Sequence, residues 1–195
     1  MSQIISTSGY SHREPGIFHI KSHEFKNKDG ISNLIRYITR TRINEDRQDE
    51  LICYGLPSGC PCVRRPEEII AEFEYISKSY YTKGSKAVHY VIQISDYVFA
   101  SMGNSMDQLK LCMVECAQYI FKVAGHQCCF AIHHSADLKL HVHFAINATN
   151  YRTGKKFNQY PVALKKTIEW PVKNIIMKYM HYNFEDDFPI SLNSI

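Results

Sequence analysis

The sequence has no stretch approaching the ~20 consecutive apolar residues that a membrane span requires. Its amino-terminal segment, MSQIISTSGYSHREPG, lacks a basic region followed by an apolar one, so it does not read as a secretory leader. No internal repeat at a fixed period is present, which argues against a solenoid or propeller, and no low-complexity tract exceeds a loop. Seven cysteines cannot pair evenly into a disulfide framework. Cys112, Cys116, Cys128 and Cys129 lie in apolar runs, where a reduced cysteine behaves as a small hydrophobe. A paired zinc spacing is missing as well: Cys60-Pro61-Cys62 with Cys53 offers three thiols and no fourth ligand, and reads better as a proline-rich surface turn. These absences lead to the expectation of a cytoplasmic protein without membrane attachment.

At 195 residues the chain suits one domain over 1–195, a size that can bury roughly 70% of the unfolded surface. The net charge of +4 is mild but unevenly spread. From Tyr151 to Met180 the bases Arg152, Lys155, Lys156, Lys165, Lys166, Lys173 and Lys178 face the single acid Glu169. Such a local excess fits either a polyanion partner or a solvated face.

Periodicity predicts short strands at Gln3 to Thr7 and Gly16 to Ser22. Ile31, Leu34, Ile35 and Ile38 form one apolar stripe on a helix from about Gly30 to Arg42, with Arg36, Tyr37 and Arg40 off the stripe and toward solvent. Pro66-Glu67-Glu68 opens a second helix whose buried face is Ile69, Phe73, Ile76 and Tyr80. Ala87 to Ser95 has the β-branched and aromatic content of a central strand. Helical spacing from Met106 to Phe121 stops at Gly125, strands follow at Gln127 to His133 and Leu140 to Ala148, and a last helix from about Leu164 to Tyr182 meets a break or kink at Pro171. Mixed strands and helices around a hairpin predict an α+β fold, a central antiparallel sheet with helices packed on it.

The stretch Ala131 to Asn147, AIHHSADLKLHVHFAIN, carries the most chemistry. Alternation along a strand puts His141, His143, Ala145 and Asn147 on one wet or functional face and Val142, Phe144 and Ile146 on a core face. An antiparallel return centred near Asp137 sets His133 opposite His141 and on its face, while His134 falls opposite Leu140. Three imidazoles then converge, a donor set that suits a divalent ion and leaves coordination positions open. Asp137 and Asn147, with His134 nearby, are candidates to orient the ligand rings.

His133, His141-Val142-His143, Asn147 and the following Thr153-Gly154-Lys155-Lys156 resemble the third motif of conjugative relaxases of the MobP-type mobilisation nucleases, within the wider class of HUH endonucleases. Arg36-Tyr37-Ile38-Thr39-Arg40 resembles the family's first motif, a catalytic tyrosine on an amino-terminal helix. The resemblance covers the chain from about Tyr10 to its end. Ser135 stands where many relatives have Asp, which passes the ring-orienting role to Asp137 or another acid. Relatives usually continue beyond this point, which implies a domain excised from a longer protein.

The resemblance implies an HUH, palm-like sheet and a metal-dependent transesterase that nicks and rejoins single-stranded origin-of-transfer DNA through Tyr37, during conjugative transfer or mobilisation in the bacterial cytoplasm. The implied ligands are His133, His141 and His143, holding a divalent ion, with Mg2+ or Mn2+ favoured and other transition ions open. Arg36, Arg40, Arg152, Lys155 and Lys156 are the implied DNA contacts, Tyr151 and Phe157 possible stacking platforms, and accessory DNA-binding and coupling proteins the further partners. Three rivals remain open, one of them a DNA-binding module without chemistry, which would keep its function without the three histidines. A rolling-circle initiator or single-strand transposase would use a tyrosine after the histidines, such as Tyr179, and a metallohydrolase would use the histidines and water without any protein adduct.

Overall fold

A computed structural model describes residues 18–41, 50–80, 83–136, 139–157 and 162–180. The predicted strand at Gln3 to Thr7 and the loop residue Asp137 lie outside them. Five strands form one sheet: β1 (Phe18–Phe25), β2 (Leu51–Gly55), β3 (Ala87–Ile94), β4 (His126–Ser135) and β5 (Lys139–Asn150). Their order is β1-β3-β5-β4-β2, and every neighbouring pair is antiparallel. With helices packed on both faces the fold is α+β, as the pattern of elements predicts.

Alternation along the strands sorts the core into two layers. On one face Tyr90, Ile92, Phe130, Ile132, Val142, Phe144 and Ile146 pack beneath α3 (Asp96–Ser101), α4 (Met106–Lys122) and α6 (Trp170–Tyr179). On the other face the strands present small residues, Ala87, Cys129, Ala131 and Ala145, and α1 (Gly30–Ile38) and α2 (Pro66–Ser79) settle on them through Leu34, Ile35, Ile69 and Phe73. The small side chains let these helices approach closely enough to cover whatever larger groups share that face.

Several boundaries differ from their sequence expectations for physical reasons. Helix α1 stops at Ile38 rather than Arg42, because the Thr41 N–H bonds the Arg36 carbonyl at 3.0 Å and the Arg40 N–H the Tyr37 carbonyl at 3.3 Å. That is a Schellman cap, with Arg40 in the left-handed position at φ 53°. Helix α2 ends before Tyr80, whose exposed ring reaches instead to the Tyr151 carbonyl at 2.9 Å. Gly125, at φ 78°, ends α4 where expected, and a Cβ there would meet Asn150 Nδ2 at 2.5 Å. The last helix starts as α5 (Val162–Leu164), widens into a π turn at Lys165–Glu169, and resumes as α6 with Pro171 in its first turn. Proline lacks the N–H for a regular bond, and the wider turn accommodates that loss. Strand β2 and helix α3 went unforeseen. No helix among the described residues is long and apolar enough to cross a membrane.

Candidate active site

The hairpin register is the one alternation requires. His133 lies opposite His141, His134 opposite Leu140, and Ser135 opposite Lys139. His133, His141 and His143 thus share the face covered by α1 and α2, and one ligand nitrogen from each lies within 4.8 Å of the others. The expectation that this face is wet does not hold. Helix α1 crosses it, and the three imidazoles are only 0%, 2% and 3% exposed.

Two hydrogen bonds fix how the buried rings are oriented. Nε2–H of His133 donates to the Ile38 carbonyl at 2.6 Å, one of the carbonyls that the end of α1 leaves without a helical partner. The other nitrogen, Nδ1, is buried with no hydrogen-bond partner among the described residues. Nδ1 of His143 meets Nε2 of His89 at 2.8 Å, and Nε2 of His143 is likewise buried with no hydrogen-bond partner among the described residues. Leaving two such atoms bare would cost about 1–3 kcal/mol each. Burial keeps both rings neutral: it lowers His133 to about 4, with the Arg40 charge assisting, and holds His143 far below the usual imidazole range, with His89 and the other histidines assisting. Neutral imidazoles with inward lone pairs are the donor state a divalent ion needs, so these residues fit a metal.

His89 escaped the sequence reading. It sits on β3, 54 positions from His143, and only the pairing of β3 with β5 stacks the two rings, at 5.0 Å between centroids and 20° between planes. If His143 offers the lone pair of Nε2, its proton must sit on Nδ1 and donate to His89, which makes His89 the residue that sets His143's tautomer.

Tyr37 is half-buried on the last turn of α1, edge-on to both His89 and His143, at 5.6 Å and 81° in each case. It is the one tyrosine in ring contact with these histidines among the described residues. Its placement is coupled to the triad through the neighbouring Ile38 carbonyl. The left-handed backbone at Arg40 turns the guanidinium back over the Tyr37 ring, 5.0 Å from its centroid, where Glu50 pairs with it at 2.6 Å. Arg40 is therefore buried, at 4% exposure, instead of facing solvent as its place off the stripe predicts. Arg36 is half-exposed and spans to Glu67 on α2 at 3.1 Å.

Other expected site residues lie elsewhere. Asn147 lies four residues along β5 from His143 and its amide is used elsewhere, donating to the Phe73 carbonyl at 2.9 Å and Gln127 Oε1 at 2.8 Å while accepting from the Thr149 N–H at 3.1 Å. His134 is exposed on the opposite face. Arg152, Lys155 and Lys156 follow the far end of β5, where the chain turns back so that Lys156 pairs with Thr149, ~20 Å from His143 at ~3.3 Å per residue. There Arg152 bonds the Lys122 carbonyl and Lys156 the Ser85 carbonyl, and burial lowers the Lys156 ammonium to about 8; Lys155 is exposed. The aromatics beside them stack within the protein, Tyr151 on Phe121 at 4.7 Å and Phe157 on His126 at 4.0 Å. Tyr179 packs on the other side of the sheet with its hydroxyl on Glu115 at 2.9 Å, so it is screened from the triad.

An antiparallel sheet that brings a tyrosine onto three convergent imidazoles has the parts of a domain that cuts phosphodiesters. A family model described as Relaxase: MobA/VirD2-like, nuclease domain matches residues 37–180, a span that begins at Tyr37 and contains all three histidines. The chain belongs to this family and is a DNA-nicking enzyme of the relaxase kind. No curated protein matches it.

Proposed function

We propose that this domain nicks single-stranded origin-of-transfer DNA by transesterification, with Tyr37 as nucleophile, and rejoins it by the reverse reaction during conjugative transfer or mobilisation of a plasmid or integrative element in bacteria. The observation that carries this reading is the contact of Tyr37 with His143 and His89, beside the inward nitrogens of His133 and His143. In the forward step the phenolic oxygen forms a bond to the scissile phosphorus and the bond from phosphorus to the 3′ oxygen breaks. The phenolic proton ends on the released 3′-hydroxyl, and the 5′ phosphate remains on Tyr37, which conserves the phosphodiester energy.

His133, His141 and His143 would hold a divalent ion, Mg2+ or Mn2+ in our reading, which when bound supplies positive charge to a non-bridging phosphate oxygen. The chain's own residues do the positioning. His133 ties the end of α1 to the sheet, Glu50 steers Arg40 over the Tyr37 ring, and the resulting fixed charge favours an anion at the phenol. Accessory DNA-binding and coupling proteins complete the proposed setting. A carboxy-terminal nucleophile is disfavoured by the position of Tyr179 across the sheet.

The test is incubation with an end-labelled single-stranded origin oligonucleotide and a divalent ion, read on a denaturing gel. Wild type should form a covalent adduct that maps to the peptide containing Tyr37. Tyr37→Phe keeps the ring and loses the attacking oxygen, so it should bind the oligonucleotide as wild type does and fail to cut it. Cleavage without any adduct would favour hydrolysis by a metal-held water, and an adduct on another tyrosine would displace Tyr37.

A further inference from the structure

The cysteines on and after β2 take no part in nicking, yet the backbone holds two of them in contact. Leu56 and Gly59 exchange backbone hydrogen bonds at 3.0 Å each, reversing the chain directly after β2. The return segment is then pinned to the strand by the Cys62 N–H on the Tyr54 carbonyl at 2.7 Å and by the Tyr54 hydroxyl on the Arg64 carbonyl at 2.7 Å. Gly55 permits the close crossing, since a Cβ there would meet the Cys60 Cβ at 2.8 Å and the Phe130 ring at 2.4 Å. As a result the Cys53 and Cys60 sulfurs lie 3.4 Å apart, at van der Waals contact, with both residues partly accessible.

Cys62 does not join them. Cys53 and Cys60 pack with the core layer beneath α4, whereas Cys62 packs with the layer beneath α1 and α2, its sulfur accepting from the Arg64 N–H at 3.4 Å. The three thiols therefore do not converge on one ion, and the pair is left with a different chemistry. We propose that Cys53 and Cys60 form a reversible intrachain disulfide, a redox modification site on the edge strand beside the active site.

The co-reactant is a low-molecular-weight disulfide. The Cys53 thiolate attacks one of its sulfurs, forming a mixed disulfide and expelling a thiolate that takes up a proton. Cys60 then gives up its proton and attacks the Cys53 sulfur, expelling the second small thiol. Two protein thiols are oxidised and one small disulfide is reduced to two thiols. Contact with Cys60 and the Lys110 ammonium favours the thiolate on Cys53, and the exchange balances equally with the two sulfurs interchanged, since either can donate across the 3.4 Å contact. The crosslink would tie β2 to its return segment. Leu51 of that strand pairs with His133, and Glu50 immediately before it holds Arg40 over Tyr37.

The test treats the reduced 195-residue chain with oxidised glutathione, alkylates free thiols and maps tryptic peptides without reduction. All three thiols fall in one peptide, 48–64. The expected product has lost two hydrogens, carries a single alkyl group on Cys62, gives no fragment ions from cleavage between Cys53 and Cys60, and reverts with dithiothreitol. Cys62→Ser should leave ring closure intact, and Cys53→Ser or Cys60→Ser should stop at a glutathione adduct on the remaining partner, with circular dichroism confirming the fold of each. Closure to Cys62, intermolecular dimers, or stable glutathione adducts on both cysteines of the wild type would overturn the proposal. So would thiols that stay unreactive until a chelator removes zinc.

Discussion

At the scale of single residues the site depends on which nitrogen of each histidine carries a proton. His133 and His143 are both set by a partner on their outward side, a helix-terminal carbonyl in one case and His89 in the other. Partners of this kind usually contribute 10–100-fold to metal affinity. His89→Ala should therefore weaken Mn2+ binding by roughly that factor in calorimetric titration while the far-ultraviolet spectrum stays unchanged. His89→Gln, which can still accept from Nδ1–H of His143, should recover part of the loss. Equal affinity in all three proteins would show that the stacked rings only fill space. Arg40 belongs to this scale too. A non-glycine residue in the left-handed region costs roughly 1–2 kcal/mol, and here its partners Glu50 and Tyr37 are the groups that make that conformation useful.

At the scale of elements, the interior strands β3 and β4 carry polar groups that packing has not made comfortable. The Tyr90 hydroxyl is buried under α4 and α6 with no hydrogen-bond partner among the described residues. Tyr90→Phe should therefore stabilise the domain by about 1 kcal/mol in urea unfolding, and a loss of stability would reveal a partner for that hydroxyl. His126 begins β4, stacks on Phe157 and donates from Nδ1 to the Asn147 carbonyl at 2.8 Å. Burial lowers it to about 4, against the hydrogen bond, which pulls the other way. Because the folded value lies below the unfolded ~6.5, its contribution is complete above pH 6.5 and falls away as pH drops toward 4, by at most about 3 kcal/mol. The stability advantage of wild type over His126→Gln should shrink across that window. A difference independent of pH would mean that His126 titrates alike in both states.

At the scale of the whole molecule the basic turn and the triad occupy opposite ends of β5. A single strand reaching from one to the other must cover ~20 Å, roughly six nucleotides at ~3.4 Å per stacked nucleotide. Lys155, exposed at that far end, is the cation best placed to meet a phosphate there. Lys155→Ala should leave binding of a short oligonucleotide centred on the nick unchanged, weaken a longer one, and reduce the salt slope of the longer complex by about one. An unchanged slope for both lengths would make the turn a solvated surface.

The sequence by itself determined which histidines share a face, while Tyr37 stood out among the tyrosines through its resemblance to the family's first motif. Strand alternation has a period of two and the hairpin is local, so the parity of His133, His141 and His143 follows from a hairpin that pairs His133 with His141, and the helical stripe of Ile31, Leu34, Ile35 and Ile38 turns Tyr37 to one side. Tertiary structure decided the rest. His89 reaches His143 only because β3 and β5 are neighbours, and strand order is set by long-range pairing that no local period encodes. The burial of the triad depends on α1 crossing small residues on three strands, the inward turn of Arg40 depends on Glu50 waiting at the start of β2, and the diversion of Asn147 depends on Phe73 and Gln127 arriving from other elements. Local geometry fixes which face a side chain takes, whereas the groups it meets there are fixed by contacts between segments distant in the chain.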